Sequence, residues 1–494
     1  MPPDPETLIK QGEKHVSLGE NARALSVYQR FLRSIPNHPS RHSIAMRSGQ
    51  LMLLLARYDD AIKHFKRMAE RDGTDTQALY NLAQSLAFAN RLEDAAEAAE
   101  RLLRADPTHV EGIARRANLL SYLGRADEAS AVIDESERQG VRHHTVELAL
   151  AGLAPKLGRM EESVKRMRAI LDEGGLERGP HADLLFKIGY LLDKLGRYDD
   201  AWNAVSEANA LIESPWNAGS FRRSIDRLIE IQGADAIRAL PEPMDPASDA
   251  VFVLGSPRSG TTLLEQIISA HPDGATAGEL PTLKDAVLAL TGSPGGVADD
   301  PSRLRKVDVV KASSAYLGDL RARTGKAKRR VDKSPGNWQF LGTGSRLTPE
   351  AHVIYSVRDP RDTAISCYFR HFVSGHQFTT SMDRLGHYLA AERRLMRHWE
   401  QALREGSPRL KMTRAVYEEV VASPEREARR LIEFIGLPWN DACLRFHEKK
   451  KIVNTLSVDQ AGQGVYAGST ERWRRYERYL APFLEAFGEG APEG

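Results

Sequence analysis

Along the first part of the chain a small residue recurs at Ala24, Ala61, Ala95, Ala129, Ser163 and Ala201. Twelve positions before each stands another, in turn Gly12, Gly49, Ala83, Ala117, Ala151 and Gly189. Three successive intervals are 34 residues, and the outer two are 37 and 38. Small residues are what two helices need where their axes approach most closely. Between the members of a pair run Gly19-Glu20-Asn21, Asn90-Arg91-Leu92, Gly124-Arg125-Ala126 and Gly196-Arg197-Tyr198, which read as turns folding one helix back on the other. Breakers at Pro36, Gly73, Pro107 and Gly175 end the second helix of several units. A two-helix unit cannot cover its own apolar face, so six units in phase predict a stacked helical array over residues 5–215 rather than an ordinary bundle.

This pattern resembles the tetratricopeptide (TPR) repeat. The resemblance implies an α-helical TPR solenoid whose concave face takes an extended peptide, so a protein acceptor or partner is expected there.

After a helix-like stretch from Arg222 to Leu240, Pro241-Glu242-Pro243-Met244-Asp245-Pro246 has the proline density of a boundary, so residues 216–248 read as a helix and a Pro-rich linker. From Val251 the grammar changes. Short apolar runs such as Val251-Phe252-Val253-Leu254 and Val353-Ile354-Tyr355-Ser356-Val357 alternate with helical patterns. Residues 249–485 are therefore expected to form an α/β domain with a mainly parallel sheet.

The first of these strands runs into Gly255-Ser256-Pro257-Arg258-Ser259-Gly260-Thr261-Thr262 and a helix start. Such a loop turns backbone N–H groups and the positive end of a helix toward one anion. Gly255 and Gly260 keep the spacing of a Walker A loop, but Thr261 stands where its lysine would be, and the cation comes earlier as Arg258. Farther on, Arg358 leaves the end of a second strand, and Ser366 follows two turns into the next expected helix. Both can converge on a separate phosphate.

Together these segments resemble the P-loop-like domain of the sulfotransferases that use 3'-phosphoadenosine-5'-phosphosulfate (PAPS), in particular bacterial-type TPR sulfotransferases and, more distantly, tyrosylprotein sulfotransferases. The resemblance gives Arg258, Ser259, Gly260, Thr261 and Thr262 the 5'-phosphosulfate, and Arg358 with Ser366 the 3'-phosphate. It also implies a base for the acceptor hydroxyl and a cation for the leaving phosphate. Glu279, in Ala277-Gly278-Glu279-Leu280-Pro281, matches the Gly-Glu context of the family's catalytic glutamate, with Pro281 expected to stop continuation into a helix. Lys333, in Val331-Asp332-Lys333-Ser334-Pro335-Gly336, matches the segment that sets a lysine against the sulfate. Tyr417 either lies by the nucleotide or packs in the core. The run Leu410-Lys411-Met412-Thr413-Arg414-Ala415-Val416 departs from the V-R-Y-E-D of many relatives. Ser457 and Arg472 fall in stretches similar to the segment that closes over PAPS.

The implied function is PAPS-dependent transfer of a sulfuryl group to a hydroxyl on a protein tyrosine, a glycan or a small molecule. Two other readings remain: a TPR scaffold whose second domain has lost activity, and a nucleotide kinase. The residues 284 to 328 read as acceptor-shaping loops without a motif.

A net charge of +2 is too small for a nucleic-acid partner, so anions must be bound by locally placed cations. Hydrophobic content of 41% and charged content of 28% argue against wholesale disorder. Cys367 and Cys443 stand far apart, which supports neither a disulfide framework nor a metal site. Met1-Pro2-Pro3-Asp4-Pro5 is no secretory leader, and no run of ~18 apolar residues occurs. A cytoplasmic protein without a membrane span is expected, and homo-oligomerisation stays open.

Overall fold

The computed structural model describes residues 4–292, 304–372, 375–446 and 470–490. The chain divides into two compact units between Ala204 and Val205. The first holds helix pairs: α1 (Pro5–Ser17) and α2 (Asn21–Ser34), α3 (Arg41–Leu54) and α4 (Tyr58–Arg71), α5 (Thr76–Phe88) and α6 (Leu92–Ala105). They continue with α7 (Val110–Tyr122) and α8 (Ala126–Arg138), α9 (His144–Leu157) and α10 (Met160–Glu173), then α11 (Arg178–Lys194) and the start of α12 (Tyr198–Ile212). Each small pair sits where the sequence requires it, one member on each helix, and Ala24, Ala61, Ala95, Ala129, Ser163 and Ala201 are all fully buried.

The glycines show why these positions stay small. A Cβ on Gly12 would lie 2.1 Å from the ring of Tyr28, and one on Gly49 would lie 2.2 Å from the ring of Phe65. Both rings are four residues after the small residue of the second helix. Where the first helix offers alanine instead, the matching positions are Ala99, Ile133 and Met167, all fully buried. At the Gly12 and Gly49 crossings a missing side chain on one helix is thus filled by a ring from the other, as close packing demands. The long intervals have local causes: six residues join α2 to α3, and α11 has 17 residues where its counterparts have 13 or 14.

The second unit begins within α12, continues through α13 (Ala218–Ile231) and α14 (Ala234–Ala239), and then builds the sheet. The expected helix from Arg222 to Leu240 is thus broken at Gln232 and Gly233. The strands are β1 (Ala250–Gly255), β2 (Gly274–Thr276), β3 (Arg329–Asp332), β4 (His352–Val357) and β5 (Lys411–Val416). They lie in the order β2-β3-β1-β4-β5, and every pair is parallel.

β1 is buried throughout, as a central strand covered on both faces must be. Val251 and Val253 face α15 (Thr261–Ala270) through Leu264 and Ile268, whereas Phe252 points the other way and stacks on Tyr316 at 5.9 Å. Two segments expected as loops are helical. Pro281 caps α16 (Thr282–Thr291) rather than preventing it, because a proline at a helix start removes an N–H that would have no partner there. Residues 284 to 328 hold most of α16 and all of α17 (Lys306–Thr324), which buries Val309, Tyr316, Leu317 and Leu320 along one helical stripe. The remaining helices are α18 (Leu341–Leu347), α19 (Pro360–Tyr368), α20 (Met382–Gly406), α21 (Tyr417–Ala422), α22 (Pro424–Phe434) and α23 (Ala481–Gly490). Among the described residues no helix is long and apolar enough to cross a membrane.

Candidate functional site

Each strand ends at a residue singled out by the sequence. The loop Ser256 to Gly260 follows β1, Lys333 follows β3, Arg358 follows β4 and Tyr417 follows β5, while Glu279 comes three residues after β2. Since all five strands are parallel, these groups gather along the carboxyl edge of one sheet. The chain runs from β1 to one side of the sheet and then crosses to the other, which opens a crevice beside β1 where α/β folds take ligands.

The loop after β1 is held in a conformation that few residues adopt. Gly255 has φ +145°, and a Cβ there would sit 2.6 Å from the carbonyl oxygen of Ser356. Gly260 has φ +106°, and its Cβ would meet Cδ2 of Tyr417 at 2.6 Å. Between them Ser259 Oγ donates to the Ser256 carbonyl at 2.7 Å, and Ser356 Oγ donates to the Ser259 carbonyl at 2.9 Å. Thr261 and Thr262 open α15, so the helix N-terminus points its amides into the loop.

Arg258 links the two predicted phosphate sites. Its Nε donates to Ser366 Oγ on α19 at 3.0 Å, and its carbonyl accepts from Arg358 Nη1 at 2.9 Å. The Arg358 guanidinium lies 4.6 Å from the centre of the Tyr417 ring, so Tyr417 bridges Gly260 and Arg358. Burial, followed by the like charges of Arg370, Arg358 and Arg472, lowers the Arg258 guanidinium to about 9. It remains a cation at neutral pH, and the mutual repulsion of these arginines is of the kind that a bound anion would relieve.

Arg472 is carried into this group by the 3-10 helix Arg472–Tyr479. The Asp362 carboxylate, on α19, accepts from the backbone N–H groups of Glu471 at 2.7 Å and Trp473 at 2.8 Å, fixing Arg472 between them. The Arg472 guanidinium stands 4.6 Å from the Phe369 ring centre. Trp473 and Tyr476 are buried, so this segment is packed down rather than being a solvated basic helix. Ser457 lies outside the described residues.

At the other end of the edge, the Lys333 ammonium pairs with the Glu279 carboxylate. The lysine side chain is 2% exposed and the glutamate 57%, so only the carboxylate can be approached from solvent. A second carboxylate, Glu265 on α15, lies 3.9 Å from Lys333 Nζ and accepts from Thr276 Oγ1 at 2.5 Å. Burial raises the Glu265 carboxyl, with Lys333 pulling the other way. The pair is braced by backbone: Lys333 N donates to the Gly278 carbonyl at 2.9 Å, and Leu280 N to Ser334 Oγ at 2.9 Å. Beneath it Asp332 accepts from Ser334 Oγ, Tyr316 OH and Asn337 Nδ2, and burial lifts its carboxyl to about 6.

Sequence reasoning did not single out Glu265, Asp362, Arg370 or Glu392. Asp362 stands inside the Arg358-Asp359-Pro360-Arg361-Asp362 run and Glu265 four residues after Thr261. Those positions were the available signals, but the partners of both come from distant segments.

A family model described as "Sulfotransferase family" matches residues 250–441, and two tetratricopeptide repeat models match residues 9–76 and 52–111. An uncharacterised protein of Aquifex aeolicus is 32% identical over 346 residues, covering 67% of this chain and 44% of that protein. A protein-tyrosine sulfotransferase of Drosophila melanogaster is 28% identical over 212 residues, 40% of each chain. Human protein-tyrosine sulfotransferase 1 is 28% identical over 242 residues, 45% of this chain and 62% of that one. The chain spans less than half the length of the Aquifex and Drosophila proteins.

Proposed function

We propose that this chain, in which tetratricopeptide repeats precede a sulfotransferase-family domain, moves a sulfuryl group from PAPS to an acceptor hydroxyl. The observation that carries the reading is the gathering of an anion-binding loop, a separate arginine-serine site and a lysine-glutamate pair along one sheet edge. In this reading the amides at the start of α15, with Arg258, Ser259, Gly260, Thr261 and Thr262, hold the 5'-phosphosulfate. Arg358, Ser366 and Arg472 hold the 3'-phosphate, and Tyr417 flanks the nucleotide.

Glu279, the exposed member of its pair, takes the proton of the acceptor hydroxyl. The acceptor oxygen bonds to sulfur as the bond from sulfur to the 5'-phosphate oxygen breaks. Lys333 and Arg258 offset the charge left on adenosine 3',5'-bisphosphate. The acceptor is a protein tyrosine, a glycan or a small molecule, with the repeats of residues 5–215 binding an extended acceptor or partner. Residues 216–248 then join them to a transfer domain of residues 249–485.

Calorimetry tests the donor assignment. Wild type should bind adenosine 3',5'-bisphosphate in strong preference to ATP, and Arg258→Ala and Arg358→Ala should each abolish that binding. No binding, or a preference for ATP, would overturn the reading. An ATP preference would favour a nucleotide kinase, and bisphosphate binding without transfer to any hydroxyl would favour a scaffold.

A further inference from the structure

Among the buried carboxylates that take no part in the transfer chemistry described above, Glu392 stands beside the donor loop. Glu392 lies midway along α20, is 3% exposed, and accepts a hydrogen bond from the hydroxyl of Ser256, the first residue of the loop after β1. A small polar cavity beside it is lined by Ser256, Ser259, Ser356, Arg358, Glu392 and Arg393. One cavity therefore joins this carboxylate to the underside of the loop and to the arginine that leaves β4. Its neighbour Arg393 donates through Nη2 to the Arg358 carbonyl at 3.2 Å, so α20 holds the ends of two adjacent strands, β1 through Glu392 and β4 through Arg393.

We infer that Glu392 is a positioning residue of the donor loop and takes up a proton when the donor's anionic groups settle on the other side of that loop. The inference rests on the donor assignment of the preceding section. Its physical basis is the placement of a buried acid directly behind an anion site. Before an anion binds, Ser256, Arg393 and Tyr355 favour the carboxylate against the effect of burial. A bound phosphosulfate and 3'-phosphate bring several negative charges close by in a medium of low polarity, which favours the neutral acid.

The proton comes from solvent and stays on the carboxyl. The Ser256 hydroxyl stays bonded to it in either state, so the loop keeps its shape. The titratable and charged groups facing Glu392 are Tyr355 from β4, Arg358 at the end of β4 across the cavity, Cys367 from α19, and Tyr388 and Arg393 from α20. Burial raises the Glu392 carboxyl to about 7, opposed by Ser256 and Arg393, so both states are populated near neutrality before the donor arrives.

The sign follows by linkage: binding that takes up a proton weakens as pH rises. With the free carboxyl near 7, uptake at pH 7 approaches about half a proton, and affinity falls by up to about tenfold per pH unit above that. The test is calorimetric binding of adenosine 3',5'-bisphosphate to the full chain at pH 7, in two buffers of different ionisation enthalpy. Wild type should take up about half a proton more than Glu392→Gln, whose affinity should be nearly flat between pH 7 and 8.5. Ionisation of the ligand is common to both proteins and cancels. Ser256→Ala provides a second variant: without its hydroxyl one of the groups favouring the carboxylate is lost, more of the acid is protonated beforehand, and uptake should shrink while binding persists. Equal proton uptake in wild type and Glu392→Gln overturns the inference, as does wild-type affinity independent of pH. Absence of bisphosphate binding in wild type would instead overturn the donor assignment.

Discussion

Replacing Gly260 by alanine perturbs the loop at the point where backbone and side chain both leave no room. At φ +106° an alanine pays about 1–3 kcal/mol of backbone strain. Its Cβ would lie 2.6 Å from Tyr417 Cδ2, where carbon atoms normally rest ~3.5–4.0 Å apart, so the ring must retreat by roughly 1 Å. Tyr417 cannot retreat without loosening its stacking with the Arg358 guanidinium, worth about 0.5–2 kcal/mol. Gly260→Ala should therefore lower the unfolding free energy in urea by about 2–3 kcal/mol and weaken binding of adenosine 3',5'-bisphosphate roughly 10- to 100-fold. A cycle with Tyr417→Ala separates the two causes. Removing the ring relieves the clash but not the strain, so the two changes should couple by about 1 kcal/mol. Strictly additive effects, or a Gly260→Ala protein within about 0.5 kcal/mol of wild type, would refute this account of the loop.

Lys333→Met should abolish sulfuryl transfer and weaken bisphosphate binding, as transfer assays beside calorimetry would show. It should also cost about 3 kcal/mol of stability above neutral pH, because it strips the buried Glu265 of its ammonium. That loss should shrink on acidification, when Glu265, already raised by burial, takes a proton. Asp332 predicts a pH slope of its own. Raised from 3.8 to about 6, it favours the folded state below pH ~4 and loses that contribution as pH rises through about 6, roughly 3 kcal/mol in all. Urea unfolding across this range should show the fall in wild type and a flatter profile in Asp332→Asn, whereas equal slopes would contradict it.

Features carried by local spacing are legible in the sequence. The small pairs Gly12 with Ala24 and Gly49 with Ala61 state the helix crossings directly, because each crossing repeats. The loop Gly255 to Thr262 could be read because its neighbours in sequence are also its neighbours in space. Pairings across the sheet could not be read in that way. Glu279 and Lys333 are 54 residues apart, and their meeting follows from β2 and β3 lying side by side. Arg358 and Ser366 are expected to converge on one phosphate, and what sequence spacing does not show is that Arg258 ties them together, its Nε donating to the Ser366 hydroxyl and its carbonyl accepting from Arg358. Glu392 carries no local signal, since on α20 it looks like one charged residue in a polar run. The helices within residues 284 to 328 carry no motif, only an apolar period.

The two backbone hydrogen bonds from Glu471 and Trp473 to Asp362 have a consequence for how the protein is made. A ribosome delivers the loop of Arg258 and the strand of Arg358 early, and the sheet can close once β5 has emerged. The backbone groups that Asp362 grips are translated much later, and Arg472 joins the other arginines only then. A nascent or truncated chain ending before Thr470 could hold the whole sheet and the Lys333–Glu279 pair while its cation cluster was still incomplete. On the donor assignment proposed above, affinity for the donor therefore depends on docking of the segment that follows Thr470, and reads out whether it has docked.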